Sequence, residues 1–367
     1  MRGRTRSAGN PTPYVRGIAF VLALVVAVLS FAGCGRTAEK TGSSSPSEAP
    51  PTPSASSASK GGESSSLLQP TTSGKELALT SYTLYVLDAH GYVVPFTARL
   101  PLVEGVAKQA LAYLVEGGPG EAILPRGFHV PLPKGTTFTV DVSPEGEAVV
   151  DFSPEVQGVA AERAARALEA VVWTLTEFPT VKRVSLRVSG HPLEKFGKGE
   201  LPVFSPLDRS MGINVELAPE ATPGDTTAVR LYFQSQSEDG TFTYFVPVTR
   251  LVPRTERPLE AAIRELIRGP LGGSALLPTV RPSVRLHRAF VDGGVAVVDV
   301  DPHLLAKDGK ADAWAARSVQ ALALTATEMA GTKEAQILVN GEAIKIGEDF
   351  DLTRPVARPR TLNPLGF

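Results

Sequence analysis

Eight residues recur almost unchanged, AVVDFSPE at 148–155 and AVVDVDPH at 296–303, and this repeat constrains the chain more than any other feature. Further landmarks follow in the same order. LYV at 84–86 answers LYF at 231–233, LVEGGPG at 114–120 answers LIRGPLGG at 266–273, and AILP at 122–125 answers ALLP at 275–278. TLTEF then LRVSG (174–190) answers TATEM then ILVNG (325–341), and PLDRSMGIN at 206–214 matches PVARPRTLN at 355–363 with Pro, Arg and Asn in one register. Landmarks that keep their order while only the loops vary in length mark two copies of one supersecondary unit. The copies span 80–216 and 228–367, and the polar, Pro/Gly-bearing stretch 217–227 reads as the linker between them.

Hydrophobic periodicity gives each copy the order β-α-β-β-α-β. SYTLYVLD and AVRLYFQS alternate as half-buried opening strands. In LEAAIRELIRG, Leu259, Ile263, Leu266 and Ile267 share one helical face, and Gly269 is placed to end the helix. TTFTVDVSPEGEAVVDF reads as a hairpin turned at Pro-Glu-Gly. AAERAARALEAVVWTLTEF reads as the longest helix, striped by Leu168, Val171, Leu175 and Phe178, and VKRVSLRV or EAQILV as the closing strand. The predicted fold class is α+β: two tandem domains, each a small open sheet covered on one side by two helices. Within it the repeated octet is a joint. Ser153 and Asp301 stand where the second helix needs an N-cap, with Pro154 and Pro302 at the first helical position. Asp151 and Asp299 are placed to bond turn amides; a catalytic role would need partner groups that do not recur.

Ahead of the copies, Arg2, Arg4, Arg6 and Arg16 precede the apolar run IAFVLALVVAVLSFAG, and Cys34 follows as the single cysteine. A basic region, an apolar core and small residues describe an export signal over 1–34. The stretch Phe-Ala-Gly-Cys resembles a bacterial lipobox, which makes Cys34 the expected lipid acceptor. An uncleaved membrane helix, or plain secretion with a free thiol, are the alternatives. All three place the remainder outside the cytoplasm. Residues 35–79, rich in Ser, Pro and Ala, read as a disordered tether.

The residues carry little catalytic chemistry. Lys+Arg 37 against Asp+Glu 38 excludes a general nucleic-acid binder. His90, His129, His191, His287 and His303 share no metal-ligand spacing, no G-x-S-x-G occurs, and EGGPG at 116–120 follows a helix instead of opening one. Glu155 and Glu162 fall near one another on a helix, without the facing carboxyl that glycoside chemistry needs. Trp173 and Trp314 occupy non-equivalent positions and read as core. Arg209 and Arg358 recur, and are expected to hold the closing segment to the sheet through a carboxylate or carbonyls. The expectation is a non-enzyme with no catalytic, metal or cofactor-binding residue.

The stretch VVWTLTEFPTVKRVSLRVSGHPLEKFG at 171–197, with LVEGGP, ILP, VVDFS and the closing P-x-x-R, resembles the GerM-type (GerMN) domain of sporulation and spore-germination lipoproteins. Such domains are similar to ring-building modules of secretion systems. The resemblance implies a membrane-anchored, non-enzymatic envelope protein on the outer face of the cytoplasmic membrane, in the space around the forespore. Its implied partners are other envelope or sporulation-complex proteins, with self-assembly, and the membrane through Cys34. The alternative is an envelope lipoprotein that binds a ligand such as peptidoglycan or modulates a sensor kinase.

Overall fold

The structure, a computed structural model, describes residues 79–365. Cys34, the signal segment and the tether up to residue 78 lie outside the described residues. Copy 1 runs β1 (Leu79–Leu87), β2 (Val93–Pro101), α1 (Val106–Ala112), β3 (Phe138–Val142), β4 (Glu147–Phe152), α2 (Ala164–Leu175) and β5 (Arg183–Val188). Copy 2 repeats it as β6 (Thr226–Gln236), β7 (Thr243–Pro253), α3 (Pro258–Arg268), β8 (Leu286–Asp292), β9 (Val295–Val300), α4 (Ala313–Ala330) and β10 (Glu334–Val339). The mixed α+β class and the tandem repeat are as the sequence predicts, with one strand more in each copy. The additional strands, β2 and β7, pair antiparallel with β1 and β6 into opening hairpins. Pro95 and Pro247 sit inside them, and proline normally argues against a strand interior.

In each copy the second sheet is mixed. β3 pairs antiparallel with β4, and β4 pairs parallel with β5 across the α2 crossover. β8, β9 and β10 repeat the pattern across α4. The fourth position is filled differently: His191–Pro192 folds back on β5, whereas Val356–Ala357 from the closing segment pairs with β10. The hairpins are not hydrogen-bonded into these sheets. Instead α2 lies against β1 and β2 on one side and β5 on another, and α4 against β6 on one side and β9 and β10 on another. Layering on two sides explains why α2 is apolar almost all round, with Ala167, Ala170, Val171, Val172, Trp173 and Leu175 all buried. α3 has one buried face, carrying Leu259, Ala262, Ile263 and Leu266, and ends at Gly269 with φ +92°.

The expected helix caps are displaced. Pro154–Gly158 and Pro302–Leu304 form short 3-10 turns, and the main helices start later, at Ala164 and Ala313. Ser153 accepts no bond from its own turn; its Oγ takes the Thr137 amide at 3.0 Å. Asp301 accepts from His303 N and Arg285 N, and Asp312 is the residue that caps α4, accepting from Ala315 N at 2.9 Å. In copy 1 the chain leaves helical geometry at Val159 and Ala160, where ψ reaches 128° and 145°, so the turn cannot run on into α2. Asp151 and Asp299 accept from the amides of Gly190 and Gly341 at 2.9 and 2.7 Å, tying the tight turn after β5 and β10 back to the neighbouring strand. Among the described residues, no helix is long and apolar enough to cross a membrane.

Candidate functional site

The stretch 217–227 is part of the packing instead of a free linker. Glu216–Leu217 pairs parallel with Arg250 and Leu251 of β7, and β6 already begins at Thr226. The closing segment of copy 1 therefore lies on the hairpin of copy 2. The reverse also holds: Thr97 of β2 bridges Pro364 in parallel, and Leu365 N donates to Thr97 O at 3.0 Å. Each copy lends its tail to the other's second strand, and the described residues 79–365 all fall in one compact unit.

Two asparagines lock this exchange. Asn214 Oδ1 accepts from Val93 N, and Asn214 Nδ2 donates to Val93 O and Pro247 O, all at 2.8 Å. Asn363 Oδ1 accepts from Phe245 N, and Asn363 Nδ2 donates to Phe245 O and Pro95 O, again at 2.8 Å. Val93 and Phe245 are equivalent, as are Pro95 and Pro247, so one clasp maps onto the other by a local pseudo-two-fold. Both asparagines have φ near +49°, a left-handed conformation that Asn tolerates better than other side chains bearing a Cβ. The strand prolines fit the same geometry. They lie on the hairpin edges facing the joint, where only a carbonyl acceptor is used. Next in the row, Thr97 N bonds Leu362 O, and Thr249 N bonds Ile213 O at 2.8 Å.

Beside the clasps lie two equivalent Tyr–Glu–Arg groups. Tyr85 Oη donates to Glu177 at 2.7 Å, and Arg209 reaches the same carboxylate at 2.6 Å, Thr176 Oγ1 and the Trp173 carbonyl. In copy 2, Arg358 holds Glu328 at 2.6 Å, Tyr232 Oη, Thr327 Oγ1 and the Leu324 carbonyl. The recurring arginines do hold the closing segments, but to the end of the second helix instead of the sheet. Cations there also face the helix C-terminal carbonyls, the favourable end of the dipole. Burial pushes the Tyr232 hydroxyl up to about 12. Burial would also raise the Glu328 carboxyl, but Arg358 and Arg230 outweigh it and hold it below the usual range.

Copy 2 carries two arginines with no counterpart in copy 1. Arg230, at the place of Thr83, pairs with Glu328 and, like Arg209, lies over the Trp173 ring, the two at 4.7 and 4.4 Å from the centroid. The indole Nε1 donates to Gly212 O at 2.8 Å. Arg250, at the place of Ala98, is fully buried; it pairs with Glu216 at 2.7 Å and Glu265 at 2.8 Å and donates to the Gly269 carbonyl. Chemically this array binds one half of the molecule to the other. Its carboxylates face arginines and its tyrosine hydroxyls face carboxylates, an arrangement that rigidifies the joint. The histidines stand apart from it: His287 meets Asn340 and His303 meets Asp301. EGGPG forms a turn in which a Cβ on Gly120 would stand 2.0 Å from the Tyr113 carbonyl oxygen, so backbone packing fixes that glycine. Trp173 is core, whereas Trp314 is half-buried beside Arg281 and Arg317.

Fold and joint together define a class: a tandem-repeat α+β protein whose two copies interlock into one body. The chain belongs to the family described as Germane, sporulation and spore germination, whose model matches residues 83–194 and 230–345. It is 36% identical over 288 residues to the spore germination protein GerM of Bacillus subtilis (strain 168), covering 77% of this chain and 78% of that protein. Its structure is similar to that of the tandem GerMN domains of the sporulation protein GerM from Bacillus subtilis, with a TM-score of 0.72, 34% identity, and coverage of 79% of this chain and 100% of the other.

Proposed function

We propose that this member of the sporulation and spore-germination family is a lipid-anchored, non-enzymatic envelope component that works through protein–protein contacts. The observation that carries the reading is the joint. Its strongest polar groups are spent on one another, fusing two domains into a rigid body whose sheet faces and edges remain to meet partners. The similarity to GerM supports a role in sporulation. The Phe-Ala-Gly-Cys stretch supports anchorage through Cys34 on the outer face of the cytoplasmic membrane, and in sporulating cells in the space around the forespore. A cleft of about 330 Å³ at the joint, lined by Phe96, Phe242, Tyr244 and Leu365, is a place where a ligand-binding role could act.

The test is a deletion strain of the source organism complemented with wild-type protein, with Cys34→Ser, or with Phe242→Ala/Tyr244→Ala, scored for heat-resistant spores. The expected pattern is loss of spores on deletion, rescue by wild type, and poor rescue by Cys34→Ser with the protein released from membranes. Normal spore yield in the deletion strain would contradict the sporulation role. Failure of the cleft variant alone, at normal protein level, would move the function to a ligand.

A further inference from the structure

The two mixed sheets present unlike edges. Among the described residues, β3 pairs only with β4 and is the outer strand of copy 1. Among the described residues, β8 likewise pairs only with β9 and is the outer strand of copy 2. An edge strand carries an unpaired row of amides and carbonyls, and proteins usually blunt it. Here β8 is long and carries Phe290 and Val291 exposed at 38% and 51%, one on each face. On β3, Val142 is likewise 42% exposed.

Their charges are complementary. Around β8 stand Arg285, His287 and Arg288, all exposed; around β3 stand Asp141 and Glu145, also exposed. Among the described residues, the Asp141 and Arg285 side chains meet no hydrogen-bonding or ionic partner. Arg288, paired with Asp299 on one side, keeps 59% of its side chain in solvent. The faces agree as well. Arg288 sits opposite Asp299 and Asp141 opposite Val149, so both point to the sheet side away from the helices.

We infer that β8 of one molecule pairs antiparallel with β3 of a second copy of this chain, with Arg288 opposite Asp141. In that register Arg285 falls beside Glu145, Phe290 opposite Thr139, Ala289 opposite Val140, and Val291 opposite Phe138. Apolar side chains then meet on the helix side and opposite charges on the outer side. A parallel pairing through the same Arg288–Asp141 contact would set Asp292 against Glu145, so direction is chosen by charge. The contact is heterologous: each molecule keeps a free β3 and a free β8, and copies add head to tail. It rests on the proposed contact function and names the partner. The joint between the copies holds the two edges on one rigid body, which fixes the turn from molecule to molecule. A five-residue edge pair is small, so assembly depends on concentration.

The test uses the full chain in detergent with Cys34→Ser and one added cysteine pair, Asp141→Cys with Arg288→Cys. Mild oxidation at high protein concentration is expected to give a ladder of dimers, trimers and higher species. Each single variant, Asp141→Cys or Arg288→Cys, is expected to stay monomeric. A ladder absent from the double variant, or dimers from either single variant, overturns the head-to-tail pairing. Charge reversal gives a second reading by sedimentation of the cysteine-free chain: Asp141→Arg is expected to abolish concentration-dependent growth and Asp141→Arg/Arg288→Asp to restore it. Growth unchanged by Asp141→Arg, or not restored by the double reversal, overturns the inference. A chain that stays monomeric yet still supports spore formation would sink this pairing and leave the sporulation role standing.

Discussion

Asn214 and Asn363 make the same hydrogen bonds in the same geometry, yet one is sealed and the other is not. Asn214 is 2% exposed, and its own amide donates to the buried carboxylate of Glu169 at 2.9 Å. Asn363 is half-buried, close to the end of the described chain. Around them the asymmetry continues: Leu324 stands in copy 2 where copy 1 has Trp173, Arg230 replaces Thr83, and Arg250 replaces Ala98. Duplication gave two equivalent clasps, and the second copy added cations that reach into the first. The joint is symmetric in backbone and lopsided in energy, with more of its stability on the side of copy 1's closing segment.

The largest effect is expected where that imbalance is deepest. Trp173→Ala removes a ring that is 1% exposed and the platform under Arg209 and Arg230, and should lower the stability of residues 77–367 by about 4 kcal/mol in urea unfolding. A loss under about 1 kcal/mol would show that the indole is not central. Arg250→Met leaves Glu216 and Glu265 without their buried cation, at a cost of about 3 kcal/mol. The copy 1 equivalent, Ala98→Val, should cost far less, and an equal cost would erase the asymmetry. Asn214→Ala strands the Val93 amide and two carbonyls inside the protein and should cost about 2–3 kcal/mol, against about 1 for Asn363→Ala. The reverse order would contradict the comparison. The smallest effect is a pH slope. Glu328 is held below the ordinary glutamate value, so its contribution is present above pH 4.5 and is lost as pH falls through its lower folded pKa. Glu328→Gln should flatten the acid limb of a stability–pH curve; an unchanged limb would place the acid sensitivity elsewhere.

Much of the fold was legible because period and order repeat. β10 was read residue for residue from EAQILV, and α3 from its apolar face with Gly269 at its end. β2 and β7 were hidden by Pro95 and Pro247, which look like strand breakers until a facing asparagine shows that only their carbonyls are needed. The octet placed Ser153 and Asp301 at helix starts, but the chain spends them on short turns first. The joint itself was half visible. Arg209 and Arg358 announced themselves by recurring, and Asn214 and Asn363 recurred in the same register. What no periodicity could tell was that each closing segment lies on the other copy, since a repeat fixes what each unit is and not whose strand it meets.

Hydrogen exchange on residues 77–367 with and without Asn363→Ala tests the interlocked joint most directly. The substitution lies in the closing segment of copy 2, whose partner carbonyl at Pro95 belongs to copy 1. If the copies unfold as one body, the most protected amides of β5 in copy 1 and β10 in copy 2 lose the same protection. A loss confined to β10, with β5 unchanged, would mean two independent domains that merely touch.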